Sequence, residues 1–538
     1  MQDDGWERLA WPVLAERSWR VAGGLIDGGV RRGEVVAIIG GTSPAVVAGF
    51  FGAMLAGAIP SLCPPPDRLG ERERYETHLI RMLQALDAGC VLAAPGLEPA
   101  ARSLAGRAGV RTLALTELHD AAPATAPRRP AELALVQFTS GSSDHPRPIP
   151  VSFSALDANV DAIRRWLGMG SDDRVASWLP LHHDRGLIGC LITPTAASCE
   201  LQLMTPAQFV RSPLRYLRCF DNARARLSAM PGFGLEQVLR RVRPEMLGDL
   251  ALHGWRTLIV SAERLAPDLL RRFEALLSPA GFSERTLRPA YGLAEATLAV
   301  TGLGRQQRWR EVVIPAGVTP GETVVAPAHG VRERAARQHV VGCGRPLAGV
   351  AVRIADDAGA PLPDGRLGEI LIDGPWSTRT LAAGDEGFVD GGELFVLGRL
   401  GDGLKISGRF VFAEGTESDI VAAGLSPGRT AVILGHDGDD ATAVAVLECA
   451  GDTEVSQAYA VLRRRTDGVR STVIVVGRGA IPRTTSGKPR AARPLERLHH
   501  TATATTHPPA RPPALQDGSS SGATPCMRVP SPSGPSRT

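Results

Sequence analysis

The apolar run Leu133–Phe138 ends in Thr139, Ser140, Gly141, Ser142 and Ser143, and Asp144, His145, Pro146 and Arg147 follow. A strand that empties into hydroxyls and a glycine, with a cation beyond, presents N–H and O–H donors in a concavity suited to a polyphosphate. It is not a Walker loop, because the chain holds no GxxxxGK[ST] pattern. A Ser/Gly cluster alone is more often a plain turn, so the loop needs company. Rarity supplies a second signal. Lys405 and Lys488 are the only lysines among 60 Lys+Arg. Arginine replaces lysine freely on a solvated surface, but not where a compact ammonium must touch one atom.

The elements that must position these groups are legible in outline. With 538 residues, 43% hydrophobic and 22% charged, the chain has length for two to four domains. From residue 8 to about 300, short apolar strands alternate with helical stretches, as in a mostly parallel sheet covered by helices. Examples are Glu34–Ile39, Gly89–Ala94, Leu133–Phe138, Arg174–Leu179 and Thr257–Ser261. From about 340 to 400, the glycine-punctuated runs Val350–Ile354, Gly368–Asp373 and Glu393–Leu397 predict antiparallel strands of a β-barrel-like subdomain. After Gly401–Asp402–Gly403 a smaller α+β unit runs to about 495. The fold expected is therefore α/β. Residues 8–401 form a large domain, 402–495 a small mobile one, and the Pro/Ser/Thr/Ala-rich 496–538 a disordered tail.

Several function classes are excluded on composition. A net charge of +4 is too small and too evenly spread to argue for nucleic acid. The eight cysteines lie far apart, without CxxC or metal-ligand spacing, and read as mostly buried thiols of a reducing compartment. The acidic start MQDDGWERLA has no apolar signal core, and the chain is read as cytoplasmic. The charge-free stretch from Val35 to Pro66 is long enough to span a bilayer. Gly40–Gly41 and Pro44 interrupt it, so strand, turn and helix fit better than membrane insertion.

With its downstream companions, the hydroxyl loop resembles the phosphate loop of the adenylate-forming superfamily of acyl-CoA synthetases, peptide-synthetase adenylation domains and luciferases. Tyr291–Gly292–Leu293–Ala294–Glu295–Ala296–Thr297 resembles that superfamily's adenine- and magnesium-binding segment. Gly384–Asp385 resembles its ribose-binding aspartate, and Gly398–Arg399–Leu400–Gly401–Asp402 its hinge. Thr484–Thr485–Ser486–Gly487–Lys488 resembles the motif carrying its catalytic lysine. Five motifs in the right order make coincidence improbable. Within the superfamily the chain is most similar to fatty acyl-AMP ligases, through Pro64–Pro65–Pro66, Trp178–Leu179–Pro180–Leu181–His182–His183–Asp184–Arg185–Gly186–Leu187–Ile188–Gly189, Leu203–Met204–Thr205–Pro206 and Arg241–Val242–Arg243–Pro244–Glu245. The resemblance spans about residues 8–495.

That resemblance implies a two-step reaction. A fatty acid or other carboxylic acid attacks the α-phosphate of ATP, and the acyl group then passes to the phosphopantetheine thiol of an acyl carrier protein. Attack of one anion on another needs alignment and charge neutralisation more than acid–base help. The resemblance assigns Lys488 to the transition state, Glu295 to Mg²⁺ and His183 to a place beside the acyl carboxylate. It assigns Thr139, Ser140, Gly141, Ser142, Ser143 and Arg147 to phosphates. Ser261, Ala262, Glu263, Ala290, Tyr291 and Gly292 would face the adenine, Asp385 and Arg399 the ribose, and Asp402 would be the hinge. Lys405, three residues past Asp402, stands where some members keep a second lysine and acyl-AMP ligases often have an apolar residue. Departures are Asp144, Arg147 and Pro148 in the phosphate loop, Val260–Ser261–Ala262–Glu263–Arg264 at the adenine turn, and a short Gly374–Gly384 segment. Two rivals stand beside this expectation: an acyl-CoA ligase using free coenzyme A, and a weakly active nucleotide-binding homologue serving as an interaction module.

Overall fold

The computed structural model describes residues 6–66, 72–139, 146–261, 264–315, 318, 320–324, 337–400, 403–406, 409–426, 428–437, 440–466, 469–481 and 526–528. They fall into two compact units. One comprises Met1–Arg310, Gly342–Val352 and Leu371–Leu381; the other comprises Glu311–Val341, Arg353–Ile370 and Ala382–Thr538.

The first unit holds two helix-flanked sheets, as expected of a large domain of helix-covered sheets. β1 (Val35–Ile39), β2 (Ile59–Cys63), β3 (Cys90–Ala93) and β4 (Arg111–Ala114) form an all-parallel sheet in the order β2-β1-β3-β4. The charge-free stretch is β1, the helix Pro44–Leu55 and β2, with Ser43 capping the helix by accepting from the Val46 N–H. Among the described residues no helix is long and apolar enough to cross a membrane. β5 (Leu133–Phe138) departs from expectation. It pairs antiparallel with β6 (Pro148–Ser152) in a hairpin instead of joining a parallel sheet. The phosphate-loop segment is the hairpin's connection, and so short a link joins only antiparallel neighbours. Pro148 opens β6, a strand position where a missing N–H is tolerated.

β7 (Arg174–Ser177), β8 (Glu200–Leu203), β9 (Leu227–Met230), β10 (Thr257–Val260) and β11 (Leu287–Gly292) are parallel neighbours in the order β8-β7-β9-β10-β11. β12 (Ala299–Gly302) then runs back antiparallel along β11. The helix Phe153–Leu167 covers this sheet. Ser152 caps its start, left-handed Gly168 ends it, and it buries Leu156, Val160, Ile163 and Leu167 at spacings of four, three and four. A π-helical stretch, Arg185–Ile192, follows the His182–His183 pair.

In the second unit, β13 (Glu311–Pro315) pairs antiparallel with β14 (Arg337–Val341). In the first, β15 (Arg345–Pro346) edges β12. β16 (Ala351–Ala355), β17 (Gly368–Gly374), β18 (Ser377–Asp390) and β19 (Glu393–Arg399) make the glycine-rich sheet the sequence predicts, with β18 and β19 antiparallel. Ile314, Val340, Phe388 and Phe395 share one core. β20 (Gly403–Ile406) and β21 (Arg409–Phe412) form a hairpin. β22 (Thr430–Asp437), β23 (Asp440–Glu448) and β24 (Arg470–Val476) build the last sheet. One difference falls in the 496–538 segment, expected to be disordered. There Cys526–Arg528 forms β25, parallel to Val473–Val475 of β24, whose outer edge offers unpaired backbone groups as a template.

Five of the seven described cysteine side chains are buried, and Cys449 is exposed. Burial pushes the thiols of Cys63 and Cys219 up to about 12 and those of Cys90, Cys190 and Cys199 up to about 11. Thiolates are the reactive form. Site-resolved alkylation followed by mass spectrometry is therefore expected to label Cys449 at least about tenfold faster than these five.

Candidate active site

The phosphate-loop hairpin is closed at its base, where the Thr139 N–H donates to the Arg147 carbonyl at 3.3 Å. Ser140, Gly141, Ser142 and Ser143 lie outside the described residues, as do Ala262, Glu263, Asp402 and Lys488. Lys405 is placed in β20 opposite Phe410, and the ribose-site candidates Asp385 and Arg399 belong to the second unit. Thr139, Arg147, His183, Ser261, Ala290, Tyr291, Gly292 and Glu295 all lie in the first.

Glu295 sits on a one-turn 3₁₀ segment, Ala294–Ala296, between β11 and β12. The chain reverses sharply there. Thr297 has φ 70° and ψ −61°, and the Leu298 N–H donates to the Ala296 carbonyl at 2.8 Å, which defines a γ-turn of the rare, strained hand. Such a backbone costs about 1–3 kcal/mol and persists only where its surroundings hold it. Here Gln137, buried at the end of β5, donates its side-chain amide to the carbonyls of Ala294 at 2.9 Å and Thr297 at 2.8 Å. Asn159, also buried, exchanges two hydrogen bonds with the backbone of Ala299. Gly292 must be glycine, because a Cβ there would stand 1.9 Å from the Leu298 carbonyl oxygen. Gln137 thus ties the strand that feeds the phosphate loop to the turn that presents Glu295. Sequence reading passed over Gln137; its signal was a lone amide in the apolar run LALVQF.

His182 and His183 lie side by side, with ring centroids 4.8 Å apart. Burial pushes both imidazoles below their ordinary range, His182 furthest, which favours their neutral forms. The buried Nε2 of His182 has no hydrogen-bond partner among the described residues. His183, the stronger sequence candidate, donates its backbone N–H to the Pro180 carbonyl and starts the turn leading into the π-helix.

A cavity with about 550 Å³ of open space, part of it continuous with solvent, lies between the helix Phe153–Leu167, the π-helix and the strands β7 and β9–β12. Its lining is overwhelmingly apolar, and Ser261, Ala290, Tyr291 and Gly292 contribute to it. Four residues expected at the nucleotide therefore border an apolar chamber. Among the described residues, Arg185 is its one charged lining residue and no carboxylate lines it.

Among the described residues no three His, Cys, Asp or Glu side chains converge as a metal cage. A single hard carboxylate such as Glu295, completed by phosphate oxygens and water, is how Mg²⁺ is commonly held in nucleotide sites. The donor set present fits that mode.

In the second unit, Asp385 and Arg399 face each other across β18 and β19, 3.5 Å apart. Beside Asp385, Glu386 is fully buried, and neither carboxylate oxygen has a partner among the described residues. Burial, with repulsion from Asp357, pushes its carboxyl up to about 7.

The architecture is that of an adenylate-forming ligase. It matches a solved fatty acyl-adenylate ligase, from work on the enzymes of E. coli and L. pneumophila, with a TM-score of 0.84 and 26% identity over 93% of this chain and 94% of that one. A family model described as AMP-binding enzyme matches residues 1–381, and the chain belongs to that family. A Caulobacter vibrioides protein provisionally named an acyl-CoA synthetase is 30% identical over 90% of this chain and 89% of its own length. The medium-chain-fatty-acid–[acyl-carrier-protein] ligase JamA of Moorena producens is 32% identical over 53% of this chain, which spans about half (52%) of that relative.

Replacing Gln137 by leucine leaves the Ala294 and Thr297 carbonyls without their donor. Each unpaired buried polar group costs about 1–3 kcal/mol. The expected outcome is a roughly 10- to 100-fold loss of ATP–pyrophosphate exchange, with a raised Mg²⁺ requirement. The far-ultraviolet spectrum should be unchanged. An exchange rate within twofold of the parent would remove Gln137 from the site.

Proposed function

We propose that the protein activates a fatty acid with ATP and Mg²⁺, forming the acyl-adenylate and pyrophosphate, and transfers the acyl group to the phosphopantetheine thiol of an acyl carrier protein. The observation that carries this reading is the apolar cavity bordered by Ser261, Tyr291 and Gly292. An aliphatic tail gains by filling such a chamber, whereas the ammonium of an amino acid would find no carboxylate among its described lining residues.

A carboxylate oxygen of the acid attacks the α-phosphorus, and the bond to pyrophosphate breaks. In the second step the carrier thiolate attacks the acyl carbonyl carbon and AMP leaves. Thr139, Arg147 and the Ser140–Ser143 loop would hold phosphates, Glu295 would hold Mg²⁺, and His183 would lie by the acyl carboxylate. Ser261, Ala262, Glu263, Ala290, Tyr291 and Gly292 would hold the adenine. Asp385 and Arg399 would bind the ribose. Mg²⁺, when bound, supplies charge neutralisation at the phosphates. Residues 402–495 would turn about Asp402 between the two steps, a hinge motion of the usual kind.

The acceptor divides this reading from its rival. The Moorena relative is named for a carrier protein and the Caulobacter one for coenzyme A. Preformed acyl-AMP offered to a holo carrier protein and to coenzyme A is expected to acylate the carrier at least about tenfold faster, because carrier selectivity needs a protein surface as well as a thiol. Equal or faster turnover with coenzyme A would establish the rival. Absence of fatty-acid-dependent ATP–pyrophosphate exchange at every chain length would instead leave a nucleotide-binding homologue.

A further inference from the structure

The helix Phe153–Leu167 provides a ruler for the cavity. At its middle Asn159 is bonded to Ala299, which pairs with Gly292 at the end of β11, where the nucleotide is expected. Near its finish the Trp166 indole N–H donates to the Leu303 carbonyl at 2.8 Å. Its ring lies over Gly302, where a Cβ would stand 2.2 Å from the ring. Seven helical residues separate Asn159 from Trp166, about 10 Å at 1.5 Å per residue. Three strand residues separate Ala299 from Gly302, again about 10 Å at 3.4 Å each. The two rulers agree.

Trp166, Leu167 and Met169 line the cavity at the C-terminal end of the helix, with Val175 and Leu227 from the opening residues of β7 and β9. Behind them the surroundings change. Arg256 pairs with Asp173 at 2.8 Å and donates to the Leu167 and Gly168 carbonyls at the helix end. Buried Arg288 donates to the carbonyls of Leu303, the acceptor Trp166 also uses, and Arg305. This cationic layer suits the negative end of a helix. It is a poor place to seat methylenes.

We propose that the cavity ends at Trp166, so that the enzyme selects straight, apolar acyl chains of about eight to ten carbons. A zigzag chain of ~1.5 Å C–C bonds advances about 1.3 Å per carbon. The span of about ten ångströms from Ala299 to Trp166, both in the cavity wall, thus takes about eight carbons, with the carboxyl end beyond Ala299. The bulk of Trp166 is the specificity determinant, braced by Leu303 and seated by the absence of a side chain at Gly302. The inference rests on the acid-activating reading above.

The test is ATP–pyrophosphate exchange with even-numbered saturated acids from C4 to C18, below their micelle concentrations. For the parent protein, kcat/KM is expected to rise about fourfold per methylene up to C8–C10, as each methylene leaves water. It should then fall at least about tenfold by C16. Trp166→Leu is expected to move the optimum two or more carbons longer. Trp166→Phe, which keeps a ring without the Leu303 bond, is expected to stay within two carbons of the parent. C16 used as well as C8 by the parent, or an optimum unmoved in a folded Trp166→Leu protein, overturns the proposal. If the leucine variant does not fold, the parent's length profile decides alone. Failure of every acid in the parent overturns the acid-activating reading instead, and this inference with it.

Discussion

Replacing Lys488 by alanine is expected to lower fatty-acid-dependent ATP–pyrophosphate exchange by about 10²- to 10³-fold, the usual loss when one donor to a developing charge is removed. When a carboxylate attacks the α-phosphate, negative charge gathers on oxygens that water no longer solvates. We propose that the Lys488 ammonium meets that charge. Arginine is not an equivalent substitute, because its planar fork replaces a compact ammonium. Lys488→Arg is thus also expected to fall by at least about tenfold. A split between the half-reactions makes the prediction specific. If the small C-terminal part turns away before thiol transfer, acyl transfer from preformed acyl-AMP should stay within about threefold of the parent in Lys488→Ala. Equal losses in both halves would point to a general folding defect. No loss in either would remove Lys488 from the chemistry.

The second large effect concerns stability and pH. Glu386 is fully buried with no partner among the described residues, and its carboxyl is pushed up to about 7 from 4.5. Between those values the folded chain keeps a proton that the unfolded chain has released. Stability therefore falls as pH rises from about 4.5 to about 7, by ~1.4 kcal/mol per pH unit, and levels off above. The accumulated loss is about 3 kcal/mol. Glu386→Leu removes the titration while filling a similar volume. Denaturant unfolding of parent and variant should differ little at pH 4.5. The variant should be more stable by about 3 kcal/mol at pH 8.5. A stability difference that does not change with pH would show that Glu386 finds a partner when ionised.

Glu386 shows why some of the molecule was hidden in the sequence. In the text AAGDEGFVD it looks like a turn acid beside the more conspicuous Asp385. Only the packing of β18 places it in the interior. Gln137 is a similar case. It stands next to last in the apolar run Leu133–Phe138, yet its partners Ala294 and Thr297 lie about 160 residues away. The strained turn at Thr297 is equally unreadable, because nothing local marks a threonine for positive φ. Trp166 reads as one more apolar residue on an amphipathic helix until Gly302 and Leu303 are seen against it.

What the sequence determined by itself was whatever is encoded locally. β-Branched runs gave β1, β10 and β24 to within a residue or so, and ordered short motifs gave the family. Local geometry and local chemistry need only neighbours along the chain. Tertiary structure alone decided the strand order of the two sheets, the antiparallel pairing of β5, the brace from Gln137 to the Glu295 turn, and the lining of the apolar chamber. Those depend on which distant surfaces meet. Hydrophobic burial is non-directional, so it dictates that such surfaces will be covered without dictating by what.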